Sequence, residues 1–199
     1  MNSCESFLMS VGMSWTWSKL LPFVFALLLG GIAWWLVRKR FVNKWLKLVV
    51  LIAFCAIPFF SYFMVAPIYQ GDFSSEFTSK KLVAELKSMN KNSLVVITIP
   101  NCPYCYESVL MSNRLKKRNP KLEITYLVLS SDPQAIAAYQ EIADSGITFQ
   151  LGQDLRALTE LAEGGFPAFV QRKNNQLMMW SNNQMGPATL DAIEESVRN

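Results

Sequence analysis

Two uncharged apolar runs occupy residues 20–37 and 48–69, with lengths of 18 and 22 residues. About 20 apolar residues cover the ~30 Å hydrocarbon core of a bilayer, so the pattern predicts two transmembrane helices. Pro22, Gly30 and Gly31 fall in the first run, and Pro58 and Pro67 in the second. Such breakers are tolerated better in lipid than in a soluble helix. Trp15, Trp17, Trp34, Trp35 and Trp45 lie near the predicted ends, where indole rings favour the membrane interface. The competing reading is a pair of buried helices in a soluble core. A cleaved signal peptide fits poorly, because only Lys19 precedes the first run as a base and no small-x-small site follows it.

Beyond residue 70 the period changes. Residues 71–79 are short and polar, which suits a tether. Residues 80–89 place Leu82, Val83 and Leu86 on one face and predict a helix. The β-branched run 94–99 predicts a buried strand, and 122–129 a second. A turn over 100–103 leads into a helix from about Cys102 to Lys117. Asp132-Pro133 opens another through about Ala143, with Asp as N-cap and Pro in the first turn. Residues 147–151 read as a short strand and 154–162 as a helix. Strands 168–171 and 176–180 are predicted to form a hairpin about Lys173-Asn174-Asn175, before a last helix from Pro187 to about Val197. Strand, helix and parallel strand, then a hairpin and terminal helix, give a three-layer α/β/α domain. The predicted organisation is a membrane region over 1–70, a tether over 71–79 and a globular domain over 80–199.

Composition sharpens this division. Of 199 residues, 51% are hydrophobic and 17% charged, against about a quarter charged in ordinary soluble domains. Residues 1–67 hold six Lys/Arg and one acid; residues 68–199 hold thirteen and fourteen. The globular part therefore has no basic excess with which to attract nucleic acid. The connector carries Arg38, Lys39, Arg40, Lys44 and Lys47 with no acid, and the flanks on the other side are nearly balanced. The positive-inside rule then places the connector in the cytoplasm and both termini, with the globular domain, outside. The absence of histidine excludes imidazole bases and His-ligated zinc.

The chemistry gathers at Cys102-Pro103-Tyr104-Cys105. Two cysteines three apart on a first helical turn close a disulfide with little backbone movement. Free N–H groups and the positive end of the helix dipole favour a thiolate at the first of them. Cys102 is therefore the expected nucleophile and Cys105, one turn inward, the expected resolving thiol. A zinc site lacks further Cys or His ligands in this part of the chain, and no cofactor is needed. Cys4 and Cys55 sit one per segment; a lone buried cysteine ordinarily behaves as a small apolar residue.

These residues, with Gly165-Phe166-Pro167 ahead of the strand 168–171, resemble the thioredoxin superfamily. The stretch 145–151, Asp154 and residues 166–170 are similar to its membrane-tethered TlpA/ResA-type members. The resemblance covers roughly residues 78–198 and implies a thioredoxin-like fold for that part. It also implies a cis Pro167 beside a redox-active Cys102–Cys105 disulfide, and a substrate groove lined by Pro103, Tyr104, Phe166 and Pro167. The implied activity is thiol–disulfide exchange on protein substrates, with a membrane electron donor or acceptor as partner. The chain departs from the family in three places. Val96 stands where a buried carboxylate is usual, leaving Glu107 and Glu163 as substitutes; Asn101 replaces a tryptophan; and the glutathione-binding elements of glutaredoxins are absent. Because Pro103-Tyr104 adds no charge between the cysteines, the expected direction is reductase or isomerase in preference to oxidase. Two other classes stay open: a non-catalytic membrane assembly or binding subunit with a structural disulfide, and a cytoplasm-facing glutaredoxin-like reductase.

Overall fold

The computed structural model describes residues 3–40, 43–87, 89–90, 92–173 and 176–198. It divides into two compact units, residues 1–73 and 74–199.

In the first unit a short helix α1 (Ser3–Ser10) precedes two long ones, α2 (Trp15–Val37) and α3 (Lys44–Val65). Both long helices are long and apolar enough to cross a membrane. Their bounds differ from the apolar runs for local reasons. Ser14 caps α2, its hydroxyl accepting from Trp17 N–H at 3.3 Å, so the helix begins five residues before the run. Asn43 caps α3 in the same way, accepting from Trp45 N–H at 2.9 Å. The α3 helix stops at Val65 because Pro67 restricts the residue before it, and Ala66 leaves helical geometry at φ −134° and ψ 74°. Phe41 and Val42 of the connector lie outside the described residues.

The helices pair closely where Gly30 faces α3. A Cβ there would lie 2.3 Å from the Phe54 carbonyl oxygen and 2.9 Å from Cys55 Cα. Phe23 packs edge-on to Tyr62, with ring centres 4.7 Å apart. Lys19 Nζ meets Asp72 Oδ2 at 2.5 Å and lies 5.5 Å from the Tyr69 ring centre, joining the start of α2 to the segment after α3. None of α3 is buried; Leu48, Val49, Ile52, Ile57 and Phe60 are all exposed.

In the second unit six strands, among the described residues, form one mixed sheet. They are β1 (Thr78–Lys80), β2 (Ser93–Thr98), β3 (Glu123–Val128), β4 (Ile147–Leu151), β5 (Ala168–Lys173) and β6 (Gln176–Ser181). Their order is β1-β6-β5-β2-β3-β4. Strands β2, β3 and β4 are parallel, β5 runs antiparallel to β2, and β6 antiparallel to β5. The helices are α4 (Pro103–Arg118), α5 (Ala137–Gln140), α6 (Leu155–Leu161) and α7 (Pro187–Arg198).

Every residue of β2 is buried, as a central strand covered on both faces requires. Val95 and Ile97 pack with Leu158 and Leu161 of α6 on one side. On the other, Val96 lies in register with Tyr126, whose hydroxyl meets α4. On that side too, Gln171 of β5 donates to Ser196 of α7 at 2.6 Å, and Arg118 of α4 pairs with Glu194 of α7 at 2.8 Å. The expected mixed α/β layering is therefore present.

Three expectations are corrected. The helix over 80–89 does not form: Thr78–Lys80 is an edge strand on β6, and only a 3-10 turn at Ala84–Leu86 follows. Sheet pairing with residues 177–179 overrides the local helical period. The segment 71–79 is not wholly a tether, because the carbonyls of Ser74 and Ser75 accept from Thr189 Oγ1 and Trp180 Nε1. The helix opened by Asp132 is short, a 3-10 turn at Pro133–Ile136 leading into α5. The hairpin turn at Asn174 and Asn175 lies outside the described residues.

Candidate active site

Strand β2 ends at the buried Thr98, and the turn through Pro100 and Asn101 enters α4. Asn101 takes a left-handed conformation, φ 56°, which Asn tolerates better than most side chains. Cys102 is the N-cap, Pro103 the first helical residue and Cys105 the third. Pro103 fits there because the N–H it lacks would have no helical partner. The Cys102 carbonyl accepts from Cys105 N–H at 3.0 Å and Tyr106 N–H at 3.2 Å. The two cysteines are joined as a disulfide with a Cα–Cα distance of 5.2 Å.

Their surroundings are unequal. Cys105 is fully buried, whereas Cys102 retains 8% exposure. Cys102 Sγ also accepts from the Cys105 N–H at 3.2 Å, so a helix N-terminal donor points at the more accessible sulfur. When the disulfide is open, that donor and the helix dipole favour the thiolate at Cys102.

The second element of the site is β5. Its register sets Ala168 across from Ile97, which brings Pro167 to the end of β2 that leads into the cysteine turn. The Phe166–Pro167 bond is cis. Pro167 is buried, and Phe166 is half-buried against the core around Ile97 and Ala168. Pro103 and Tyr104 are exposed, the Tyr104 side chain at 60%. Cys102, Cys105, Pro103 and Tyr104 thus share one turn, and the sheet register carries Phe166 and Pro167 to the same end of the sheet.

The position of the usual buried carboxylate is apolar, as Val96 is fully buried. Neither acidic substitute reaches it. Glu107 is exposed on α4, and Glu163, 60% exposed, is paired with Lys80. The polar groups beneath α4 are instead hydroxyls. Tyr126 OH lies 3.1 Å from Ser108 Oγ and 2.8 Å from Ser112 Oγ, and Ser108 Oγ donates to the Cys105 carbonyl at 2.6 Å. Tyr139 donates to the Ile99 carbonyl at 2.6 Å, steadying the approach to the cysteine turn. The rings of Tyr106, Tyr126, Tyr139 and Phe149 pack against one another, mostly tilted, at centroid distances of 4.7–6.3 Å. Burial pushes the Tyr139 hydroxyl up to about 12 and Tyr126 further, so both stay neutral.

Sequence reasoning missed this cluster. Its one visible signal was Ser108 and Ser112, four apart on the helical face that also carries Cys105. The basic residues at the end of α4 make specific contacts. Lys116 donates to the Pro120 and Leu122 carbonyls, Lys117 pairs with Asp144, and Arg118 with Glu194. Among the described residues no group of three or more Cys, Asp or Glu side chains is placed to hold a metal ion.

No protein-family model and no curated protein matches the chain. Two solved structures are similar. One is a secreted Mycobacterium tuberculosis disulfide oxidoreductase homologous to E. coli DsbE, at 17% identity and a TM-score of 0.41, covering 53% of this chain and 79% of that one. The other is a thioredoxin-like protein from Bacteroides caccae, at 13% identity and a TM-score of 0.32, covering 79% of this chain and 71% of that one. Both are remote likenesses.

Proposed function

We propose that this chain is a membrane-anchored, thioredoxin-like thiol–disulfide oxidoreductase that acts on protein substrates outside the cytoplasm. The observation that carries the reading is the asymmetry of the cysteine pair. Cys102, largely buried but retaining 8% exposure, receives a helix N-terminal N–H, while Cys105 is sealed one turn below. A merely structural disulfide needs no such difference.

In the reducing direction the Cys102 thiolate attacks one sulfur of a substrate disulfide. That S–S bond breaks, one substrate thiolate leaves, and a mixed disulfide joins the substrate to Cys102. Cys105, once deprotonated, attacks Cys102 Sγ, expels the second substrate thiolate and closes the pair. The pair's two electrons have passed to the substrate, and a membrane electron donor must restore them. Tyr104, Phe166 and Pro167 would form the groove wall that holds the substrate chain.

With Val96 and a neutral hydroxyl cluster beneath α4, no buried charge over-stabilises the Cys102 thiolate. This favours a reductase or isomerase over a primary oxidase. The first unit supplies the anchor, because α2 and α3 expose apolar side chains over lengths that match a bilayer.

The reading predicts that Cys105→Ala accumulates substrates as mixed disulfides on Cys102, since the attacking thiol survives and the resolving one is gone. Cys102→Ala should abolish exchange. Non-reducing electrophoresis of the full chain with its captured proteins reads both. Exchange activity that survives in each single variant would return the pair to a structural role.

A further inference from the structure

The three hydroxyls beneath α4 form a chain whose direction follows from counting protons. The Cys105 carbonyl only accepts, so the single proton of Ser108 Oγ is committed to it across 2.6 Å. In the Ser108–Tyr126 contact Tyr126 must then donate, which commits the one phenolic proton. In the Ser112–Tyr126 contact Ser112 must donate in turn. The order is Ser112 to Tyr126 to Ser108 to the Cys105 carbonyl. Every member is buried, with Ser108 at 5% exposure and Ser112, Tyr126 and Cys105 at none. Tyr126 belongs to β3, in register with Val96, so the chain ties the Cys105 turn of α4 to the sheet beside the position that lacks a carboxylate.

We propose that Tyr126 is a positioning residue for the resolving cysteine, holding the Cys105 backbone through Ser108 so that Cys105 Sγ stays within reach of Cys102 Sγ. The inference rests on the proposed division of labour between the two cysteines. Tyr126 touches neither sulfur in this role. It acts on the second step of exchange, where Cys105 must find Cys102 within a mixed disulfide, and has no part in the first, where Cys102 meets an incoming disulfide.

Ellman's reagent, an aromatic disulfide, separates the steps. Added in excess to the reduced full chain in detergent, it is attacked by the Cys102 thiolate, and one thionitrobenzoate is released while the other stays bonded to Cys102. Cys105 then attacks Cys102 Sγ and releases the second, leaving the protein disulfide and two protons lost from the thiols. Cys4 and Cys55 are replaced by Ser and Ala so that only the pair reacts.

In Tyr126→Phe the first release should keep its rate within about twofold. The second should slow by about fivefold, the scale of one neutral hydrogen bond. Ser108→Ala should slow the second release at least as much, and Ser108→Thr, which keeps a hydroxyl, should restore it. The double variant Ser108→Ala/Tyr126→Phe should be no slower than Ser108→Ala alone, because the two act in series.

A second release unchanged in both Tyr126→Phe and Ser108→Ala would overturn the proposal. So would equal slowing of both releases, which marks general loosening of the domain. If Tyr126→Phe does not fold, the Ser108→Ala and Ser108→Thr pair decides by the same criterion. A parent protein that releases only one equivalent would sink the exchange reading itself, and this inference with it.

Discussion

The tyrosine hydroxyls of the second unit place a pH limit on it. Tyrosine ordinarily ionises near 10, and burial raises Tyr139 to about 12 and Tyr126 further. The folded state thus holds these protons more tightly than the unfolded state does. Their contribution to stability is complete below pH 10 and is lost as pH climbs from there through the folded values. Alkaline titration of the full chain, followed by tyrosinate absorbance, should show a late step from Tyr126 and Tyr139, well above the ordinary tyrosine range. Loss of Trp180 burial should accompany that step. Tyr139→Phe should remove part of it and of the stability loss between pH 10 and 12. Ionisation of Tyr126 and Tyr139 in the ordinary tyrosine range, with the fold intact, would contradict this account.

At the scale of elements, the helix pair of the first unit depends on a close approach. At Gly30 an added Cβ would meet the Phe54 backbone, whereas at Gly31 it would meet open space. Gly30→Ala must push two backbones apart, at a cost of about 1–3 kcal/mol, the usual range for overpacking. Gly31→Ala should be neutral or stabilising, since Ala favours a helix over Gly by about 1 kcal/mol. Thermal unfolding of the full chain in detergent, followed by far-ultraviolet circular dichroism, compares the two; equal shifts would remove Gly30 from the packing.

How much of each element was legible depends on how local its causes are. Helix α4 and its cysteine turn, β2, and the strands of the β5–β6 hairpin rest on period and on Pro placement within a few residues, and they stand where expected. The caps at Ser14 and Asn43 are local too, but the apolar run masked them. The edge strand β1 was invisible because its partner lies far along the chain, as the Ser79–Gln176 hydrogen bond across 97 positions illustrates. The Tyr126 chain was hidden for the same reason: two of its members share a helix, but the third comes from the neighbouring strand.

At the scale of the whole molecule, the proposed membrane anchoring by the first unit would fix which compartment the cysteine pair faces. The α2 and α3 helices contain 23 and 22 residues, about 33–35 Å at 1.5 Å per residue, enough for one crossing each. The two helices pack closely at Gly30, and the Lys19–Asp72 pair holds the start of α2 against the segment after α3, as two ends on one side of a membrane would require. The other end carries Arg38, Lys39, Arg40, Lys44 and Lys47 and no acid. Cytoplasmic loops retain such clusters, so Cys102 should face outward. An outside compartment would favour disulfides, in keeping with the proposed exchange role of the pair.

Sealed cells, mildly reduced and treated with an impermeant maleimide, provide the measurement. Cys4 is exposed on α1 ahead of α2 and would label alongside Cys102, so the chain carries Cys4→Ser. Cys102 should then label without permeabilisation. A reporter in the connector, Lys39→Cys on a background lacking the other cysteines, should label only after the membrane is opened. The reverse pattern would turn the domain to the cytoplasm and make a glutaredoxin-like reductase the better reading. Labelling of both positions in sealed cells would deny that α2 and α3 cross at all.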